Sequence, residues 1–204
     1  MSEKNLYPLG CIIMASGSAR RFGSNKLLTA FAGRPLISHI LDATDGLFAE
    51  RIVVTRYADI ALLCERRNIP CLLHDMPWLN DTVRLGLEQL EGRGLQGYAF
   101  CTADQPLLER QSLMLLCEAF LRSPGSIVRL AWGSTPGNPM LFPCSLAQEL
   151  KQLPRDKGGS VLAKKYPELV RMVQARDKYE LFDIDTVRDL RRCPNPAAAR
   201  YSEE

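Results

Sequence analysis

Short, unbroken apolar runs alternate along this chain with segments whose apolar residues recur every three or four positions. Leu9 to Met14 is continuously apolar and stops at Ala15-Ser16-Gly17, as a strand buried on both faces does. Pro35 then opens a predicted helix with Leu36, Ile37, Ile40, Leu41, Thr44, Leu47 and Phe48 on its apolar face. A second buried strand is predicted at Ile52–Thr55, a helix over 57–67 and a short strand at Cys71–Leu73. Val83, Leu87 and Leu90 mark another helix. Tyr98–Cys101 reads as a strand ending at Thr102-Ala103-Asp104-Gln105-Pro106, and Leu113, Leu116, Cys117, Phe120 and Leu121 mark the helix after it.

Ile127–Ala131 and Met140–Phe142 read as further strands, the second preceded by the turn residues Pro136-Gly137-Asn138-Pro139. Leu146, Leu150 and Leu153 suggest a helix, broken at Lys157-Gly158-Gly159. Leu169, Arg171 and Val173 alternate with polar neighbours like a half-exposed strand. Phe182–Asp185 is predicted as a last strand, followed by a short helix over 186–192. Strands alternating with helices imply an α/β fold with a mostly parallel sheet covered on both faces. The expected organisation is one domain over residues 1–192 and a Pro- and Ala-rich tail over 193–204. In such sheets ligands bind beyond the carboxyl ends of the strands, so the loops of interest are 15–26, 74–82, 102–106 and 183–186.

Composition removes alternatives. The 204 residues hold 46% hydrophobic and 24% charged residues, ordinary for a globular protein. No apolar run approaches the roughly 18–20 residues of a membrane span, and the N-terminus lacks a secretion-signal layout. A formal charge of +3 is too mild to argue for nucleic acid. Seven cysteines without a C-x-x-C pair exclude a zinc ribbon or thioredoxin motif and suggest a reducing, cytoplasmic setting. Only two histidines, His39 and His74, are present. A His-rich metal centre is therefore excluded, and a Ser-His or Cys-His hydrolase would have to use one of these two. His39 lies beside the apolar stripe of the Pro35 helix and is expected to be structural. His74 precedes Asp75 in a candidate ligand loop.

Three loops carry candidate chemistry. Small residues at 15–17 let backbone approach a ligand, and Arg21 and Lys26 bring positive charge suited to a polyphosphate. The loop is neither a Walker P-loop nor G-x-G-x-x-G, because Gly17 and Gly23 are separated by five residues. Asp104 emerges from a buried strand end and is either a Mg²⁺ ligand or a turn aspartate. Asp183 and Asp185 fall on one face of an extended segment. Either is a candidate second ligand, unless Asp185 or Thr186 only caps the last helix.

The segment Met14-Ala-Ser-Gly-Ser-Ala-Arg-Arg-Phe-Gly-Ser-Asn-Lys26 resembles the L-A-A-G-x-S-x-R-F-G-x-x-K signature of the MobA-like NTP transferases of molybdenum cofactor biosynthesis. Gly33-Arg-Pro-Leu36, Asp104-Gln105-Pro106, Gly137-Asn138-Pro139, Asp156-Lys157-Gly158 and Asp183-Ile184-Asp185-Thr186 follow in that family's order. The nearest likeness is to the molybdenum cofactor cytidylyltransferases. Ala15-Ser16-Gly17 is nearer their L-A-A-G than the L-A-G-G of the guanylyltransferases. Asn80-Asp-Thr-Val-Arg84 departs from the usual Ser-rich stretch but keeps Arg84 and Gly86.

The resemblance implies a three-layer Rossmann-like nucleotidyltransferase fold and Mg²⁺-dependent transfer of CMP from CTP to a molybdopterin-type acceptor. It implies that Ala15, Ser16, Gly17, Asp75 and Thr82 bind the nucleotide and that Arg21 and Lys26 neutralise the triphosphate. Asp104 and Asp185, or Asp183, would hold Mg²⁺, and Asn138 and Lys157 would face the acceptor. The alternatives are a guanylyl- or sugar-phosphate nucleotidyltransferase of the same fold, or a carrier delivering molybdenum cofactor to a hydroxylase apoenzyme. A dinucleotide-binding oxidoreductase lacks its glycine fingerprint.

Overall fold

The computed structural model describes residues 6–17 and 25–194. Its centre is strand β1 (Tyr7–Ala15), flanked in parallel by β4 (Phe48–Thr55) and β6 (Gly97–Thr102), with β5 (Cys71–Leu73) parallel outside β4. The other half holds β7 (Ile127–Trp132), β8 (Thr135–Pro143) and β9 (Val170–Gln174), giving the order β5-β4-β1-β6-β8-β7-β9. Strand β8 runs antiparallel to both β6 and β7, while β7 and β9 pair in parallel. Ala30–Phe31 (β2) and Arg34–Pro35 (β3) form a separate small hairpin. The fold is a Rossmann-like α/β layer structure with a mostly parallel seven-stranded sheet.

The continuous apolar run at 9–14 is explained by burial on both sides. Cys11 and Ile13 face a cluster built with α1 (Leu36–Ala43), α2 (Ala58–Arg66) and α4 (Arg110–Arg122). Ile12 faces the opposite cluster, built with α3 (Leu79–Leu90), α5 (Ala147–Lys151) and α6 (Ser160–Lys165). Alternation along a strand sends successive side chains to opposite faces, so two helix layers demand apolar residues at every position. Helix α3 lies so close to β1 that a Cβ on Gly86 would stand 2.6 Å from Ile12 Cγ2. Glycine is required there by contact.

Three predicted elements are corrected. Phe182–Asp185 is not a strand: it follows a 3₁₀ turn at Lys178–Leu181 and runs without a ladder into α7 (Val187–Arg192). It is held instead by one backbone bond, from Ile184 N–H to the carbonyl of Asp104 at 3.0 Å. The helix after Pro35 ends at Ala43, and Phe48 begins β4, so Leu47 and Phe48 are buried through the sheet side of the turn. Pro136 to Pro139 is not a turn either but lies inside β8. There Ala131 and Arg129 pair with Pro136 and Met140, so the two β7 partners stand two positions apart and their β8 partners four. The surplus residues form a bulge, a device that re-aims side chains beside binding sites.

All seven cysteines are free, five of them buried, as small hydrophobes are. His39 is buried and neutral in character: Nε2 bonds the Phe31 carbonyl at 3.0 Å, and Nδ1 faces Arg34 at 3.2 Å. Burial, reinforced by Arg34, holds its pKa below the usual 6.5. Among the described residues no helix is long and apolar enough to cross a membrane.

Candidate active site

The carboxyl ends of β1 and β6 open on one cleft, and a buried lysine lines it. Asn25 caps a 3₁₀ turn at Lys26–Leu28 by accepting from Leu27 N–H at 3.2 Å. This sets Lys26 under the end of β6 with 7% of its surface exposed. Lys26 Nζ donates to Asp104 Oδ2 and to Asp185 Oδ1, each at 2.8 Å. Burial alone would lower the lysine pKa, but the Asp104 and Asp185 carboxylates outweigh it and the pKa is raised. Lys26 is thus a fixed cation.

Asp185 reaches Lys26 because Ile184 is fully buried and tied to the Asp104 carbonyl. The last helix is capped by Thr186, whose Oγ1 accepts from Asp189 N–H at 3.2 Å, so Asp185 is not needed as the cap. Asp183, on the other side of Ile184, differs. Its side chain reaches solvent, yet crowding protein desolvates it and pushes its pKa up to about 6, helped by the Asp104 and Asp185 charges. Lys26 and the adjacent Gln105 amide pull the other way. Three carboxylates around one ammonium leave a surplus of negative charge.

That surplus fits a divalent cation. Asp104 keeps Oδ1 buried and without a partner, an arrangement that normally calls for an ion or water. Hard oxygen donors of this kind suit Mg²⁺ or Mn²⁺. Among the described residues no group of three or more His, Cys, Asp and Glu side chains is arranged to hold a metal alone.

Beside Lys26 and Asp104 lies a cavity of about 210 Å³ that Ser16, Gly17 and Thr82 also line. The 15–17 backbone is fixed from two sides: Thr55 Oγ1 donates to the Ala15 carbonyl at 3.0 Å, and Tyr57 OH donates to the Gly17 carbonyl at 2.7 Å. Ser16 Oγ contacts His74 Nε2 at 2.9 Å and the Val54 carbonyl at 3.2 Å. Burial, then Arg56, holds the His74 pKa below 6.5, which leaves its ring neutral at pH 7. Its buried Nδ1 has no partner. His74 thus stands behind Ser16, off the lining of both cavities. Arg21 lies outside the described residues. Asp75 is exposed and does not line the cavity. Thr82, fully buried, points an unpartnered hydroxyl at it.

A second cavity of about 370 Å³ shares Met14, Leu79 and Thr102 with the first, so the two lie side by side. Asn138, presented by the β8 bulge, lines it together with Gln105, Arg129 and Asp183. Lys157 is exposed and off both linings, although its neighbours Asp156 and Gly158 line the first and second cavities. Gly159 has no room for a side chain, because a Cβ would sit 2.6 Å from the Phe142 ring. Trp78, Gln105, Arg129 and Asp156 were not foreseen from the sequence. Trp78 bridges two loops: Arg155 stacks 3.7 Å from its ring centroid, and the adjacent Asn80 accepts from Asp156 N–H at 3.0 Å.

Six buried side-chain polar atoms lack a partner among the described residues. Four of them, on Thr82, Thr102, Asp104 and Gln105, line these two cavities. A buried polar atom left unpaired costs about 1–3 kcal/mol, so this concentration marks where a polar ligand completes the structure.

Known proteins resemble the chain in the same region. A bifunctional GlmU protein from Corynebacterium glutamicum is 29% identical over 132 residues, covering 58% of this chain and 27% of that protein. The chain thus spans about a quarter of the length of the curated relatives it matches. The crystal structure of Rv0371c from Mycobacterium tuberculosis superposes with a TM-score of 0.79 at 21% identity, covering 90% of this chain and 96% of that one. Molybdopterin-guanine dinucleotide biosynthesis protein A from Archaeoglobus fulgidus superposes at 0.72 with 16% identity, covering 94% and 99%. The family model for the MobA-like NTP transferase domain matches residues 11–172, which contain the second half of β1, Lys26, Asp104 and the β8 bulge, and this chain belongs to that nucleotidyltransferase family.

Proposed function

We propose that the protein transfers CMP from CTP to the phosphate of a molybdopterin-type cofactor and releases pyrophosphate. The observation that carries this reading is the cluster of unpartnered polar atoms around the Lys26–Asp104 pair, in two adjoining cavities. Two adjoining cavities suit two substrates. The choice of CTP rests on Ala15-Ser16-Gly17, which resembles the cytidylyltransferase loop.

In this reading the nucleotide occupies the cavity of Ser16, Gly17 and Thr82, and the acceptor lies towards Asn138. The attacking group is a phosphate monoester oxygen. Its second pKa is about 6, so it is largely ionised at neutral pH and needs no general base. A bond forms between that oxygen and the α-phosphorus of CTP, the α–β bridging bond breaks, and the electron pair leaves with pyrophosphate. The work of the protein is positional and electrostatic. Lys26 keeps its charge and exchanges carboxylate contacts for phosphate oxygens, and Arg21 adds a second cation. Asp104, with Asp185 as second carboxylate, would hold Mg²⁺, which when bound neutralises phosphate charge. Asn138 and Lys157 are assigned to the acceptor side, Lys157 through movement of its loop. The scarcity of histidine fits such chemistry.

Pyrophosphate release with CTP, GTP, ATP and UTP, each with and without a molybdopterin-type acceptor, tests the proposal. CTP with acceptor should turn over and CTP alone should not. Release with no nucleotide–acceptor pair would overturn the transferase reading. Preference for GTP would overturn only the choice of base.

A further inference from the structure

Arg129 is the one feature of the second cavity that the transfer step leaves unused. It sits mid-strand in β7, between Val128 and Leu130, which are fully buried. Its side chain emerges on the face of the sheet that carries Ile127 and the second cavity. Nε and Nη2 both donate to the Gly137 carbonyl, at 3.3 and 3.1 Å, so the β8 bulge holds the guanidinium in place. Five N–H donors are available and most remain unspent.

No carboxylate pairs with Arg129 among the described residues. The other half-buried arginines among the described residues, Arg51 and Arg84, both form ion pairs, and Arg129 does not. Burial pushes its pKa below the usual arginine value, and arginine cannot escape that cost by losing its proton. It is also the only cation lining this cavity among the described residues.

A second observation points to a ligand in the same space. Gln105 is 1% exposed, and its Oε1 is buried without a partner. Asp183, a carboxylate that can only accept, lines the same cavity, so a donor to the Gln105 Oε1 would have to come from a ligand or water. Between the two polar groups the floor is apolar, formed by Phe100, Met140 and Phe142.

We propose that Arg129 anchors an anionic group of the acceptor, separate from the phosphate that attacks the nucleotide. The acceptor then carries two anionic ends joined by a flat or apolar body, with a hydroxyl or N–H facing Gln105. This inference rests on the proposed function only in assigning the second cavity to the acceptor. Arg129 acts here as a specificity residue. The Gly137 contact gives the guanidinium its aim, and the missing counter-charge gives the site its preference for anions.

The test needs neither nucleotide nor turnover. Benzoate and benzamide share a flat apolar body and differ in charge, and their binding to the whole chain is followed by NMR of the arginine Nε–H signals. Benzoate should shift the Arg129 signal and bind roughly 10- to 100-fold more tightly than benzamide, the range for hydrogen bonds to a charged group. Arg129→Met should erase that preference, and Arg129→Lys should keep part of it. An unchanged preference in Arg129→Met, equal binding of both probes, or binding of neither would overturn the proposal. Loss of thermal stability in Arg129→Met with the preference intact would assign Arg129 to strapping β7 onto β8 alone. If benzoate is selected but no pair releases pyrophosphate, the anion site stands and the transferase reading falls. If pyrophosphate is released but benzoate is not selected, the reverse holds.

Discussion

The two adjoining cavities are built by opposite means. The first lies at the ends of the parallel strands β1 and β6, and its cation is already paired: Lys26 with Asp104 and Asp185. The second lies over the reversed strand β8, and its cation, Arg129, has only a carbonyl. A cation held between carboxylates is kept in place and ready to exchange partners with a polyanion. A cation aimed by backbone alone has a vacancy for whatever anion arrives. The contrast separates a general site for triphosphate chemistry from a local device for choosing the second substrate.

Substitutions test this contrast, the largest effect coming from the paired side. Asp104→Ala should abolish transfer while the protein stays folded, since Lys26 retains Asp185; steady-state rates and circular dichroism together check this. Lys26→Ala should lower kcat by ~10²-fold, the magnitude found for a lost preorganised electrostatic stabiliser. A loss confined to KM would make Lys26 a binding residue only. Thr82→Val should weaken CTP binding by roughly 2- to 10-fold, the value of one neutral hydrogen bond, and leave thermal stability unchanged or raised. The orphaned hydroxyl contributes nothing to the free protein, so a clear loss of stability would contradict its assignment.

The smallest effect is expected away from both cavities. His39 has a folded pKa below 6.5, so the unfolded chain takes up the proton first and stability falls as pH drops through about 6.5. His39→Gln should flatten that fall in melting temperature between pH 7.5 and 5.5 and leave activity untouched. A change in the pH profile of transfer would show that His39 is not the purely structural residue that its Phe31 and Arg34 contacts make it.

The parallel half was readable in the sequence because local pattern and tertiary role agree there. Leu9–Met14 is apolar throughout since both faces are covered, and the residues just past its end and past Tyr98–Cys101 were singled out before their partners were known. Lys26 and Asp104 are 78 positions apart, yet each declared itself as a charge following a buried strand. The choice between Asp183 and Asp185 was not readable. The structure brings Asp185, not Asp183, to Lys26 through the burial of Ile184 and its bond to the Asp104 carbonyl, contacts that no local pattern encodes. Pro136-Gly137-Asn138-Pro139 was misread because turn residues also suit a bulge, and the bulge is what presents Asn138 and aims Arg129. Arg129 itself left one signal, a charge at an inward position of an apolar strand. Asp75, an acidic residue after a strand, is exposed and lines neither cavity.

The central claim is that the Lys26 pair and the β8 cavity form one site for two substrates. A crystal structure with Mg²⁺ and a non-hydrolysable CTP analogue tests it most directly. The triphosphate should lie within hydrogen-bond distance of Lys26 Nζ, the nucleoside against Ser16 and Thr82, and the cavity of Asn138 and Arg129 should stay open. A nucleotide seated over Arg129, with Lys26 still clamped between Asp104 and Asp185, would contradict it.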